Sequence, residues 1–228
     1  MSQPVRDDII MHSDLKTPKS AAVAGIMFSL LMFTIFGLLR RSIPTDPLEP
    51  GAWLAADTNS IELALNLVPF AGIAFLWFVG VLRDRLGHQE DRFFATVFIG
   101  SAMLFLVMLF TAAAVIGAVM LLASKTEPNE LISSGIFRYA RSAAFIVNNV
   151  YATKMAAVFM VSTSTIVIYT SIAPRWIAYI GYLFALLLLI GSYYIAWSFV
   201  ILPAWVFLIS AHILVDNLRK HGDDIGAR

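Results

Sequence analysis

WIAYIGYLFALLLLIGSYYIAWSFVILPAWVFLISAHILV, residues 176–215, is a run of forty residues without a formal charge. One straight helix of that length would reach about 60 Å, roughly twice the ~30 Å hydrocarbon thickness of a bilayer. The run therefore reads as two membrane spans joined by a very short turn. Pro203 suits the first turn of a helix. Tyr193, Tyr194, Trp197 and Trp205 cluster as an interfacial aromatic belt would. One span is expected at 177–197 and another at 201–217, with the chain folding back between Tyr193 and Leu202.

The same length criterion places four spans before this pair. The first, 21–39, is bracketed by Lys19 and Arg40, and Pro44, Pro47 and Pro50 make the segment after it an external loop. The second covers 63–82 and stops at Arg83-Asp84-Arg85, where Gly87 suits a helix C-cap and Asp91 the next N-cap. The third, 93–123, is longer than the hydrocarbon is thick and must tilt or protrude. Ala113, Ala114, Gly117 and Ala118 give it small residues for close helix approach. Residues 124–154 mix charge with Ile136, Phe137, Tyr139 and Phe145, the pattern of an interfacial amphipathic helix. It leads into a fourth span at 150–172, closed by Pro174-Arg175.

Composition supports this all-α, polytopic transmembrane bundle of about six spans. Of the 228 residues 59% are hydrophobic and 14% charged, against about 25% charged in soluble domains, and the mean hydropathy is +0.80. The net charge of +1 argues against nucleic acid as a partner. The absence of cysteine removes disulfides, thiolate metal sites and thiol catalysis. The polar first twenty residues do not read as a cleaved signal peptide.

Positive charge sets orientation. With six spans and the N-terminus inside, ten basic residues fall inside: Arg6, Lys16, Lys19, Arg83, Arg85, Arg92, Arg175, Arg219, Lys220 and Arg228. Six fall outside: Arg40, Arg41, Lys125, Arg138, Arg141 and Lys154. Five spans would give seven against nine. The expectation is cytoplasmic tails at 1–20 and 218–228 flanking one membrane domain, 21–217. Arg40-Arg41 and the basic 138–154 stretch run against the rule.

Charge deep in a membrane marks function by default, and spans one, three and five carry none. That weighs against an ion-coupled pump. Lys154, with Asn148 and Asn149 before it, either snorkels to the interface or contacts an anion or lipid headgroup. Arg138 and Arg141, three apart, form a solvated face or hold a headgroup phosphate. Ser162, Thr163, Ser164 and Thr165 either bond back into their own helix or line a polar path, and Asn66 beside Pro69 has the same two uses. Arg83, Asp84, Arg85, Glu90, Asp91 and Arg92 make a loop for anchoring or cytoplasmic docking. His212 and Asp216 share a helical face but lack a third ligand, so no metal is expected. No catalytic fingerprint is present and no cofactor is expected.

Leu65–Phe105, LNLVPFAGIAFLWFVGVLRDRLGHQEDRFFATVFIGSAMLF, and Lys154–Tyr182, KMAAVFMVSTSTIVIYTSIAPRWIAYIGY, resemble a group of uncharacterised bacterial multi-span membrane proteins. The resemblance covers about two thirds of the chain. It implies a bacterial inner membrane and, the group having no established activity, carries over no functional residue. The expected function is an accessory or assembly component acting through membrane lipids or other membrane proteins, self-association included. A small channel or transporter, and a lipid-modifying enzyme, are the alternatives.

Overall fold

The structure, a computed structural model, describes residues 17–43, 58–86, 92–125, 128–191 and 197–226. Every regular element among them is helical: α1 (Thr17–Ser42), α2 (Thr58–Leu86), α3 (Arg92–Ala123), α4 (Pro128–Ser133), α5 (Gly135–Ile146), a π-helical segment (Val147–Ala152), α6 (Thr153–Thr170), α7 (Arg175–Gly191), a 3-10 turn (Ser198–Val200) and α8 (Ile201–Gly226). Five stretches are long and apolar enough to span a bilayer: Ser20–Ser42, Thr58–Arg83, Phe94–Ala123, Gly135–Thr170 and Ser198–Arg219. Helix α7, with 17 residues, is shorter, reaching about 25 Å at the lower limit of spanning length. Phe70, Ile73, Trp77, Val107, Leu183 and Ile190 face outward, an apolar girth suited to lipid rather than water. Several hydroxyls within these helices bond back to their own backbone. Ser29 donates to the Gly25 carbonyl at 2.8 Å, Thr34 to Leu30 at 2.9 Å and Thr111 to Val107 at 2.7 Å.

Contacts between neighbours fix their directions. Phe28 and Gly25 of α1 meet Phe75 and Phe78 of α2, so rising number on one helix meets falling number on the other. Phe75 and Leu65 of α2 meet Phe105 and Gly117 of α3 in the same sense. Phe98 of α3 stacks on Phe159 of α6, while Leu109 shares a cavity with Asn148. Helices α6 and α7 are joined by four residues, 171–174, and paired through Thr165 and Tyr182. Leu188 shares a crevice with Leu202, and farther back along α7 Ile177 meets Trp205. Each of the long helices α1, α2, α3, the α5–α6 run, α7 and α8 thus runs antiparallel to the one before it.

Helix α8 also runs antiparallel to α1, because Gly25 lies against Ser210 and Phe36 against Phe199. The start of α1 and the last turns of α8 therefore lie at one end of the bundle, here called the terminal end. An even number of crossings follows, and with five long helices the sixth crossing is α7. The fold-back expected between Tyr193 and Leu202 is bounded by α7 and the 3-10 turn; residues 192–196 lie outside the described residues, as do Gly87 and Asp91. Pro203 is the third residue of α8, in its first turn.

Phe75 is where the spans converge. Its ring centroid is 4.8 Å from that of Phe28, 5.2 Å from Phe105 and 5.0 Å from Phe159. One side chain of α2 thereby joins α1, α3 and α6. Pro69 lies inside α2, where it can donate no hydrogen bond to the Leu65 carbonyl. Helix α6 ends at Ser171, whose φ of 51° places it in the left-handed region, and Pro174 lies just beyond.

The amphipathic segment before span four is helical, as α5, but it does not lie apart from that span. It continues through the π segment into α6 as one rod, Gly135–Thr170, of 36 residues, about 54 Å long. Helix α3, with 32 residues, is about 48 Å long. Their excess over ~30 Å of hydrocarbon lies together at the far end of the bundle. There Val119 and Met120 of α3, Leu131 of α4, Phe137 of α5 and Ile61 of α2 form a second small core. The small residues of α3 also behave differently from expectation. Ala114 and Ala118 are exposed, and a Cβ on Gly117 would stand 3.9 Å from Leu65. The closest helix contacts lie instead at Gly25 and Gly181, against Ser210 and Ser164.

Candidate functional site: an arginine-rimmed apolar cavity

Small side chains on facing helices leave space between them when no longer residue fills the gap. At the far end of the bundle Ala112 and Ala113 of α3 face Ala144 of α5 across such a gap. Ile35, Phe36 and Leu39 of α1, Leu65 and Val68 of α2, Leu109 and Ile116 of α3, Phe145 of α5 and Phe199 before α8 complete the walls. The cavity measures about 200 Å³. That is less than the 300–1,000 Å³ of a drug-sized pocket and enough for a segment of hydrocarbon chain.

The polar lining consists of Arg40, Arg141, Asn148 and Asn149. Arg40 is exposed at the last turn of α1. Arg141 is only 5% exposed, so its guanidinium is withdrawn from water into the space between helices. Both charges are positive, and no carboxylate of the described residues belongs to the lining. The π segment positions the amides. The Thr153 N–H bonds to the Asn148 carbonyl five residues back, and the Thr153 hydroxyl donates to the same oxygen at 3.0 Å. The wider turn brings two successive residues, Asn148 and Asn149, to the cavity, and the Asn148 amide donates to the Asn149 side-chain oxygen at 3.3 Å. Such π turns recur at functional sites. A narrow crevice continues inward from Phe36, Leu109, Asn148 and Phe199 to Met32, Phe105, Ala156 and Leu202.

The rod serves as a ruler for depth. Thr170 ends it at the terminal side. Residue 154 is then about 24 Å along, residue 148 about 33 Å and residue 141 about 43 Å, at 1.5 Å per residue. Against ~30 Å of hydrocarbon counted from Thr170, the part of the rod that lines the cavity, residues 141–149, falls at and beyond the far edge of the apolar layer.

The residues singled out by sequence separate into three groups. Arg141, Asn148 and Asn149 come together in the cavity. Asn66, Arg138 and Lys154 are exposed on the outer surface, so the three-residue spacing of Arg138 and Arg141 does not put both on one side. The hydroxyl run is packed: Ser162, Thr163 and Ser164 are buried. Ser162 bonds back to Val158 at 3.1 Å, and Thr165 to Val161 at 2.9 Å while also pairing with the Tyr182 hydroxyl at 2.8 Å. The Thr163 and Ser164 hydroxyls find no hydrogen-bond partner. Neither cavity is lined by Lys154 or by this run. Arg83 is exposed at the terminal end; the side chains of Asp84, Arg85, Glu90, Asp91 and Arg92 lie outside the described residues. No group of three potential metal ligands occurs among the described residues.

Sequence reasoning missed Arg40 and the alanines. The signal for Arg40 was present: Arg40-Arg41 and the basic 138–154 stretch were the two departures from the positive-inside pattern, and each contributes an arginine to the cavity. No family model, curated protein or solved structure matches the chain.

Proposed function

We propose that this chain is an accessory protein of a bacterial inner membrane that acts through lipid, holding a hydrocarbon chain in the far-end cavity. The observation that supports the reading is the cavity itself: apolar walls at the far end of the bundle, with two arginines in the lining. Both termini face the cytoplasm in this reading, because Arg83, Arg175 and Arg219 gather at the terminal end. The cavity then belongs to the outer leaflet. The bacterial inner membrane rests on the resemblance of Leu65–Phe105 and Lys154–Tyr182 to bacterial multi-span proteins.

The channel reading has less behind it, since Lys154 is exposed on the outer surface and Ser162, Thr163 and Ser164 are packed in the core. For the enzyme reading, the described lining of the cavity offers no acid, base or nucleophile. Native mass spectrometry of protein released from membranes in mild detergent tests the lipid reading. Wild-type protein is expected to carry one lipid-sized adduct, and Ala113→Phe, which fills the cavity, to lose it. A bare wild-type monomer would refute the proposal.

A further inference from the structure

Resting on that lipid reading, we infer that the ring pair Phe36–Phe199 is the stop that sets how long a hydrocarbon chain the far-end cavity takes. The ring centroids lie 4.3 Å apart, with the planes tilted by 53°. Phe36 comes from α1 and Phe199 from the 3-10 turn before α8. Both rings line the far-end cavity, and both also line the crevice that continues inward. Of the other described residues, Leu109 and Asn148 share that double position. The rings therefore stand where the space narrows, from about 200 Å³ on one side to about 10 Å³ on the other. A void of the smaller size admits little more than one water-sized group. Beyond the rings Met32, Phe105, Ala156, Leu188 and Leu202 offer apolar contact, so width rather than polarity halts a chain there.

Two helices give the same depth for the cavity. Along α1 its lining runs from Ile35 to Ile43, and along the rod from Arg141 to Asn149. Each interval covers about 12 Å at 1.5 Å per residue. An extended chain advances about 1.25 Å per carbon, given carbon–carbon bonds of about 1.5 Å, so the cavity takes about ten carbons. The crevice extends along α1 from Phe36 back to Met32, about 6 Å farther. Removing either ring joins the two spaces and adds room for about five carbons.

The test uses full-length protein in mild detergent. It is offered a homologous series of saturated monoacylglycerols, octanoyl to octadecanoyl, in pairs at equal concentration, and native mass spectrometry identifies the bound member. Uptake by wild-type protein should peak near about ten carbons. Phe36→Ala and Phe199→Ala should each move the peak upward by about five carbons. Both positions are only partly buried, and they open the partition from opposite sides, so a folding failure in one leaves the other to decide. Phe145→Ala is the control, because Phe145 lines the cavity but not the crevice. It widens the space without lengthening it and should leave the peak in place.

No adduct of any length on wild-type protein would sink the lipid reading itself. Adducts formed equally at every length, or a peak unmoved by loss of either ring, would overturn the stop and leave the lipid reading standing. An equal upward shift in Phe145→Ala would mean general loosening of the cavity and would also overturn the stop.

Discussion

Gly25 of α1 and Ser210 of α8 lie so close that a methyl group on the glycine would collide with the serine hydroxyl, and with the Phe78 ring at 2.9 Å. This contact closes the bundle by packing the last helix on the first. Gly25→Ala is expected to lower stability in detergent by about 1–3 kcal/mol, the usual cost of overpacking. Gly37→Ala, on the same helix with nothing within 4 Å of its added carbon, is the matched control and should be neutral or slightly stabilising. Equal melting temperatures for the two variants would contradict the α1–α8 contact.

The closure has a topological consequence that reporter fusions can read. Reporters at the N-terminus and at the C-terminus should register the same compartment, because α1 and α8 are antiparallel neighbours. The proposed orientation makes that compartment the cytoplasm. Opposite compartments would mean an odd number of crossings and would exclude α7 as the sixth.

Trp205 ties the last two helices together. Its indole N–H donates to the Ile177 carbonyl at 3.1 Å, and the residue is almost fully buried. Trp205→Phe removes the bond and keeps most of the ring, so a loss of about 0.5–1.5 kcal/mol is expected. Trp205→Ala also opens a cavity beside Gly181 and should cost about 3–5 kcal/mol. Thermal unfolding in one detergent orders the two. The reverse order would contradict the packing.

The hydroxyls of Thr163, Ser164 and Ser210 are buried without partners. Removing an unpaired buried hydroxyl restores apolar contact at no loss of a bond, so Thr163→Val and Ser164→Ala should be neutral or stabilising. A marked fall in melting temperature for either would show that its hydroxyl holds something, and would reopen the polar-path reading.

The spans were legible because length and charge alone identify them. Lys19, Arg40, Arg83, Lys125 and Arg175 mark their borders, and no soluble fold needs forty uncharged residues in a row. The reversal after α7 was legible for the same reason, since 176–215 is twice too long for one crossing. Facing was not legible. Arg138 and Arg141 are three residues apart, yet one is exposed and the other buried, because α5 packs against α3 with Arg141 on its inner side and Arg138 on its outer side. Ala112, Ala113 and Ala144 line a void, while Gly25 and Gly181 take the tight contacts that the alanine–glycine stripe of α3 seemed built for. Which small residue meets a large partner depends on helix rotation about its own axis, and uniformly apolar spans leave that rotation unmarked in sequence. The cavity could therefore be anticipated only through its arginines.

The most direct measurement is a side-chain-resolution density map of the protein in lipid nanodiscs. The account predicts elongated density between Leu109 and Phe145, with its upper end against Arg40 and Arg141 and its tail directed toward Phe36 and Phe199. A cavity collapsed by inward rotation of Phe145, or a continuous water-filled passage reaching Ser162, would contradict it.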